Sequence, residues 1–204
     1  CVEQGTHYTD ITGENHWVKT LIDRHHDNAN LKGVRIVPSC GYDSIPSDIG
    51  TLFTVSQFDK PVKRVDLFQE MQGGASGGTI ETAFSMGKLS KEMRHPFLLN
   101  PENSFTEEQQ KNSKDDMRIE KIDELDAWSG MFVMAAGNTR VVRRSAALME
   151  QNQRGYGANF TFGEYGLHKT KKLARRASFG LILGFIIIAS PLKRIVRRFL
   201  PKPG

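Results

Sequence analysis

Apolar residues recur along the first third of the chain in two rhythms. In HWVKTLIDRHHDNANLKG, Trp17, Val18, Leu21 and Ile22 return at helical spacing, and Ala29 extends the stripe. Gly33 closes the predicted helix. Before it, CVEQG reads as the last turn of a helix stopped by Gly5. THYTDIT then reads as a short strand carrying Tyr8 and Ile11 and ending at Gly13 and Glu14. After it, Val34, Ile36 and Val37 form a short apolar run bounded by Gly33, Pro38 and Gly41, the pattern of a buried strand. DIGTLFTVSQF suggests a further helix. Strand and helix alternate through short connections, which predicts a parallel sheet with crossover helices.

The loop after the second strand gathers the chemistry. Cys40, Tyr42, Asp43, Ser44, Ser47 and Asp48 lie just past the strand's carboxyl end, where open α/β sheets place their ligands. Tyr42, Asp43, Ser44 and Asp48 are the candidate catalytic cluster. Asp43, Ser44, Ser47 or Asp48 could instead cap the following helix. Glu14, past the first strand, could hold a ribose hydroxyl or stabilise the start of the next helix.

Farther on, VKRVDLFQEM is a candidate strand, followed by GGASGGT and a helical TIETAFSMGKLS. Strand, glycine turn, helix is the layout of a phosphate cradle, but the spacing is not G-x-G-x-x-G. The turn could instead be a glycine bend that lets backbone pack closely. Residues 101–126 are polar, with no sustained period, and read as a mobile surface insertion. In MFVMAAGNTRVVRRSAALMEQ, Asn138 or Thr139 is the expected cap of an amphipathic helix. Its Arg140, Arg143 and Arg144 either bind phosphate or form a solvated face. GANFTFGEY alternates like a strand through Phe160 and Phe162.

The last third changes character. Residues 139–204 hold 14 Lys and Arg against 2 acids, a net +12, while residues 1–138 carry −7. Phe179 to Leu192 contain no charge and are flanked by KKLARR and KRIVRR. Fourteen helical residues rise about 21 Å, against a hydrocarbon core of roughly 30 Å. Basic flanks on both sides also disfavour a span. The expectation is a helix or kinked hairpin, bent near Gly184 or Pro191, that dips Phe179, Leu181, Ile182, Leu183, Phe185, Ile186, Ile187 and Ile188 into one leaflet of a membrane or lipid droplet. The alternative is a buried core helix. The arginines alternate with apolar clusters rather than aromatic platforms, which argues against nucleic acid. His25 and His26 sit beside Arg24 and Asp27 on a polar helix stretch, and no Cys/His cluster predicts a metal. Cys1 and Cys40 do not make a disulfide framework.

The blocks CVEQGTHYTDITGE at Cys1–Glu14 and GVRIVPSCGYDSIPSDIG at Gly33–Gly50 resemble the saccharopine dehydrogenase-like oxidoreductases, a family that includes mycobacterial trans-acting enoyl reductases. GYDSIPSD at Gly41–Asp48 carries the most specific part of the likeness. GGASGGT at Gly73–Thr79 and NTRVVRRS at Asn138–Ser145 are similar too. The resemblance implies a two-domain reductase that binds NADP or NAD and reduces an enoyl or carbonyl group of a lipid-like substrate. Gly13, Glu14, Ser39, Cys40 and Gly41 would lie on the cofactor side, and Gly77, Gly78 and Thr79 of the glycine turn would line the substrate cleft. Animal members linked to lipid droplets point to the same surface as the C-terminal pattern. The family's opening strand, glycine-rich phosphate turn and helix have no counterpart here, so the chain reads as a fragment whose own cofactor binding is in question. The expected fold class is α/β: part of a Rossmann-like parallel sheet domain over 1–58, an α+β substrate domain over 59–170, and a basic, hydrophobic C-terminal helix segment over 171–204. The alternative function is a non-catalytic lipid-surface protein derived from such an enzyme.

Overall fold

The computed structural model describes residues 1–70, 92–113, 117–192 and 196–197. The glycine turn at 73–79, with Gly77, Gly78 and Thr79, lies outside the described residues.

Two sheets organise the chain. The first pairs β1 (Tyr8–Thr9) with β2 (Ile36–Val37) in parallel, Tyr8 opposite Ile36 and Thr9 opposite Val37. The crossover between them is α1 (Asn15–Leu31), closed by Gly33 at φ +63°. Val18 and Ala29 supply its buried side, whereas Trp17 is 46% exposed. Both strands are shorter than their apolar patterns, and Ile11 projects outward at 75% exposure. CVEQG forms hydrogen-bonded turns rather than a helix end, with the amide of Gln4 on the Cys1 carbonyl. Next comes α2 (Ile45–Ser56), with Pro46 in its first turn, where no amide hydrogen is required.

The second sheet is mixed, with strand order β3-β6-β5-β4. β3 (Arg64–Gln69) runs parallel to β6 (Thr161–His168) over six residue pairs, from Arg64 opposite Thr161 to Gln69 opposite Gly166. β5 (Ala127–Gly130) is antiparallel to β6, and β4 (Lys121–Ile122) is antiparallel to β5. The segment read as a mobile insertion is therefore built into the fold. It contributes β4 and also α3 (Glu107–Asn112), which starts with a reciprocal capping box between Thr106 and Gln109. Phe97 and Phe105 stack beside it at 4.4 Å between ring centroids.

α4 (Ala135–Gln151) packs against β6 and α2. Between these elements Val142, Tyr156, Phe160 and Phe162 make a core cluster, with Leu52, Val55 and Val65 against it. α4 begins at Ala135, before Asn138, so Asn138 lies inside the first turns and does not cap them. The arginines of α4 do not form a solvated face. Arg140 and Arg143 are each 4% exposed. Arg143 donates to the carbonyls of Pro96 and Phe162 and stacks over the Phe97 ring. Arg140 donates to the Arg94 carbonyl, and Arg144 to that of Leu99. Burial holds the Arg144 guanidinium below its ordinary pKa. Backbone carbonyls accept from these cations, and the row fastens segment 94–99 to the helix.

α5 (Lys171–Ala189) is capped by the Thr170 hydroxyl, which accepts from the Leu173 amide at 3.3 Å. It passes through Gly184 without a break and ends before Pro191, so the expected bend near Gly184 is absent. Its first turns carry Lys171, Lys172, Arg175 and Arg176, so it is not apolar throughout. Among the described residues no helix is long and apolar enough to cross a membrane.

Candidate functional site

The ends of β1 and β2 are tied into one unit by Asp10. Its carboxylate accepts from the Tyr8 hydroxyl at 2.8 Å, the Thr12 amide at 2.9 Å and the Ser39 amide at 3.0 Å. Ser39, at φ +61°, donates its hydroxyl to the Thr12 carbonyl at 2.8 Å. The Cys40 amide bonds the Asp10 carbonyl at 2.7 Å, and its thiol turns back to the Val37 carbonyl. At Gly41 the loop is tight: an added Cβ would sit 3.2 Å from Ile11 Cβ and would displace the Asp43 carboxylate, whose Oδ1 lies 2.4 Å from that position. Ser39, Cys40 and Gly41 therefore shape the loop itself. Glu14 stands at the N-cap position of α1 without a side-chain capping bond, and its carboxylate lies 3.8 Å from His16 Nε2. Asn15 donates to the carbonyls of Ala136 and Gly137, which brings these strand ends beside the start of α4.

The four residues expected to form one catalytic cluster are distributed differently. Tyr42 projects outward at 90% exposure. Asp43 is half-buried in the turn. Asp48 faces α4, accepts from the Ser145 hydroxyl at 2.9 Å, and lines a separate apolar cavity of about 390 Å³ between α1 and α4. Desolvation raises its pKa, against the lowering effect of Ser145. Burial first, and then the charge of Asp48, push the Tyr156 phenol up to about 12. Ser44 occupies the N-cap position of α2, but its hydroxyl does not cap; it donates to Asn138 Oδ1 at 3.1 Å.

That bond opens a buried network joining the two sheets. Asn138 Nδ2 donates to Ser47 Oγ at 3.3 Å and to Glu164 Oε1 at 3.1 Å. Ser47 donates to the same oxygen at 2.7 Å, and Gln69 Nε2 at 3.2 Å. Ser44, Ser47, Asn138 and Glu164 are all at most 4% exposed. Desolvation raises the pKa of Glu164, opposed by hydrogen bonds from Ser47, Asn138 and Gln69. Asn138 and Glu164 were not singled out as chemistry in the sequence. The available signal was parity: Phe160, Phe162 and Glu164 share one face of an alternating strand, so the acid falls in a core-facing position.

Beside this network a cleft of about 830 Å³ runs along β6. β5 reaches only as far as Gly166, so among the described residues no strand pairs with Thr161–Tyr165 on that side. Met131, Phe132, Phe162 and Phe185 give the cleft one apolar wall, Glu164 and Thr139 line it as well, and Lys63, Arg64, Lys111, Arg118 and Arg143 place basic side chains around it. A cleft that sets an apolar wall against convergent polar groups can hold a small molecule.

A dinucleotide would meet the strand ends differently at its two halves. Residues 9–14 and 38–44 carry Asp10, Glu14 and Asp43 and no Lys or Arg, so a diphosphate there faces like charge. Carboxylates and backbone amides suit ribose hydroxyls and a carboxamide. Residues 9–14 and 38–44 therefore suit the ribose and nicotinamide end of such a molecule better than its diphosphate. Among the described residues no group of three His, Cys, Asp or Glu side chains is placed to hold a metal ion.

The chain is similar along its whole length to proteins named trans-acting enoyl reductase. It is 32% identical over 229 residues to those of Mycobacterium tuberculosis and Mycobacterium bovis, and 31% identical over 230 residues to that of Mycobacterium ulcerans. Each comparison covers 100% of this chain and 54% of the relative, so the chain spans about half the length of the curated relatives it matches. No family model matches it, and no solved structure does.

Proposed function

We propose that the chain serves an NAD(P)H-dependent oxidoreductase that reduces the enoyl group of a lipid-like acyl substrate. The observation that carries this reading is the buried Ser44–Asn138–Ser47–Glu164 network. It joins the carboxyl ends of the parallel β1–α1–β2 layer to a cleft on the mixed sheet that has one apolar wall. A cofactor-side layer and a substrate-side cleft sharing one polar centre is what a two-substrate reduction requires. The names of the relatives support an enoyl-reductase-like oxidoreductase, and the β1–α1–β2 unit is compatible with a Rossmann-like domain. A reduced nicotinamide would supply the hydride. The protein's own residues would position the acyl group, exclude water and polarise its carbonyl. Glu14 and the loop 38–44 are the groups we assign to the ribose and nicotinamide end. Fluorescence titration of the folded chain with NADPH and NADH tests the reading. Saturable binding that weakens on Glu14→Ala supports it. A folded chain that binds neither nucleotide argues against it.

A second reading rests on α5. Lys172, Arg175 and Arg176 fall on the same helical stripe as Phe179, Ile182, Leu183 and Ile186, and all seven are exposed. Leu181, Ile187 and Ile188 are half-buried, and Phe185 turns toward the cleft. A stripe that is basic at one end and apolar at the other suits oblique insertion into an anionic lipid surface. Cosedimentation with phosphatidylserine vesicles, compared with phosphatidylcholine alone, tests it. Binding lost in Ile182→Glu supports it, and no vesicle binding by the unsubstituted chain excludes it.

A further inference from the structure

Glu164 presents its two oxygens to different surroundings. Oε1 accepts three hydrogen bonds, from Ser47 at 2.7 Å, Asn138 at 3.1 Å and Gln69 at 3.2 Å. Oε2 is buried and has no partner. An ionised carboxylate shares its charge over both oxygens and needs donors on both, and a bare buried anionic oxygen is costly. A neutral acid is asymmetric: one oxygen accepts, and the other gives. The network fixes which is which. Ser44 donates to Asn138 Oδ1, and that sets the amide nitrogen of Asn138 toward Ser47 and Glu164. Ser47 then accepts from Asn138 and donates its hydroxyl hydrogen bond to Oε1. Every group around Oε1 is a donor, and none accepts from Oε2. Glu164 as a whole is 4% exposed, and it lines the cleft.

We propose that Glu164 stands as a neutral carboxylic acid with its proton on Oε2, and that this O–H is the hydrogen-bond donor to the carbonyl oxygen of an acyl ligand seated in the cleft. No bond to carbon is made or broken in this step. The donor lowers the electron density of the carbonyl and of any double bond conjugated to it. The choice of a 2-enoyl thioester as ligand rests on the reductase reading; the state of the carboxyl does not.

The test uses the whole chain labelled with 13C at the glutamate carboxyl, without cofactor. One glutamate resonance in the neutral-acid position at neutral pH, absent from Glu164→Gln, is expected. If every glutamate resonance is that of an ionised carboxylate, the proposal is overturned. A 2-enoyl N-acetylcysteamine thioester carrying 13C at its carbonyl is then added. Its bound resonance should move downfield, and the displacement should shrink in Glu164→Gln, whose amide keeps the acceptor oxygen but donates more weakly. Failure of the thioester to bind, or an equal displacement in both proteins, overturns the donor role. Should Glu164→Gln not fold, Ser47→Ala replaces it. That change removes one donor from Oε1 and should shift the neutral-acid resonance, whereas an unmoved resonance counts against the assignment. A thioester that senses Glu164 but is never reduced by added NAD(P)H refutes the reductase reading and leaves this site standing.

Discussion

Replacing Asn138 by Ala should destabilise the fold by about 3 kcal/mol, although it removes only a small side chain. Asn138 is 1% exposed and makes three side-chain hydrogen bonds, to Ser44, Ser47 and Glu164. Each such bond contributes a net of roughly 0.5–1.5 kcal/mol, and a buried donor left without a partner adds about 1–3 kcal/mol. Ser44, itself 3% exposed, would be that stranded donor. Partial relief by rotation of its hydroxyl brings the total back to about 3 kcal/mol. Urea unfolding followed by circular dichroism measures it. With a slope of about 2 kcal/mol per molar, the midpoint should fall by about 1.5 M with little change of slope. In the double variant Ser44→Ala, Asn138→Ala the loss should be less than the sum of the two single losses, because the stranded donor is gone. A midpoint shift under about 0.5 M would refute the reasoning: the network would then carry neither the junction nor the orientation assigned to Glu164.

Arg143→Lys should lower stability by about 2 kcal/mol, because an ammonium cannot reproduce a fork that reaches two carbonyls while stacking on Phe97. Hydrogen exchange should localise the effect to segment 94–100, with the Leu98 and Asn100 amides losing protection first. Glu164 and Asp48 both have raised pKa values from desolvation, so the folded chain holds these protons more tightly than the unfolded one. Their contribution is fully present below the ordinary carboxylate range and is lost as pH rises from there through the raised values. Within that window each carboxyl removes up to about 1.4 kcal/mol per pH unit. Thermal unfolding across this range should show the decline, and Glu164→Gln should show a shallower one.

Short-range patterning made much of the fold readable. The helical stripe of α1 and the Gly33 stop lead directly to a crossover helix between parallel strands, because those signals lie within one turn of the residues that use them. The boundaries of α4 were less legible. Asn138-Thr139 has the composition of a cap, but Ala135 and Ala136 before it are also good helix formers, and the helix starts there. The arginines of α4 look like a solvated face because carbonyl acceptors leave no charge signature in a sequence. The polar centre was half visible. Ser44 was singled out for its place after a strand, but its partners lie far away in the chain, and hydroxyl, amide and acid meet only through tertiary packing. Glu164 did carry a local signal, an acid on the apolar face of an alternating strand, in the parity already visible at Phe160 and Phe162.

The most direct test of the reductase reading is label transfer. The folded chain is incubated with NADPH carrying deuterium at the nicotinamide C4 position and with a 2-enoyl thioester, and the acyl product is analysed by mass spectrometry. The account predicts a saturated thioester that has gained one deuterium, with much less of it formed by Glu164→Gln. A folded chain that binds the thioester but forms no deuterated product from either face of the nicotinamide would contradict the account.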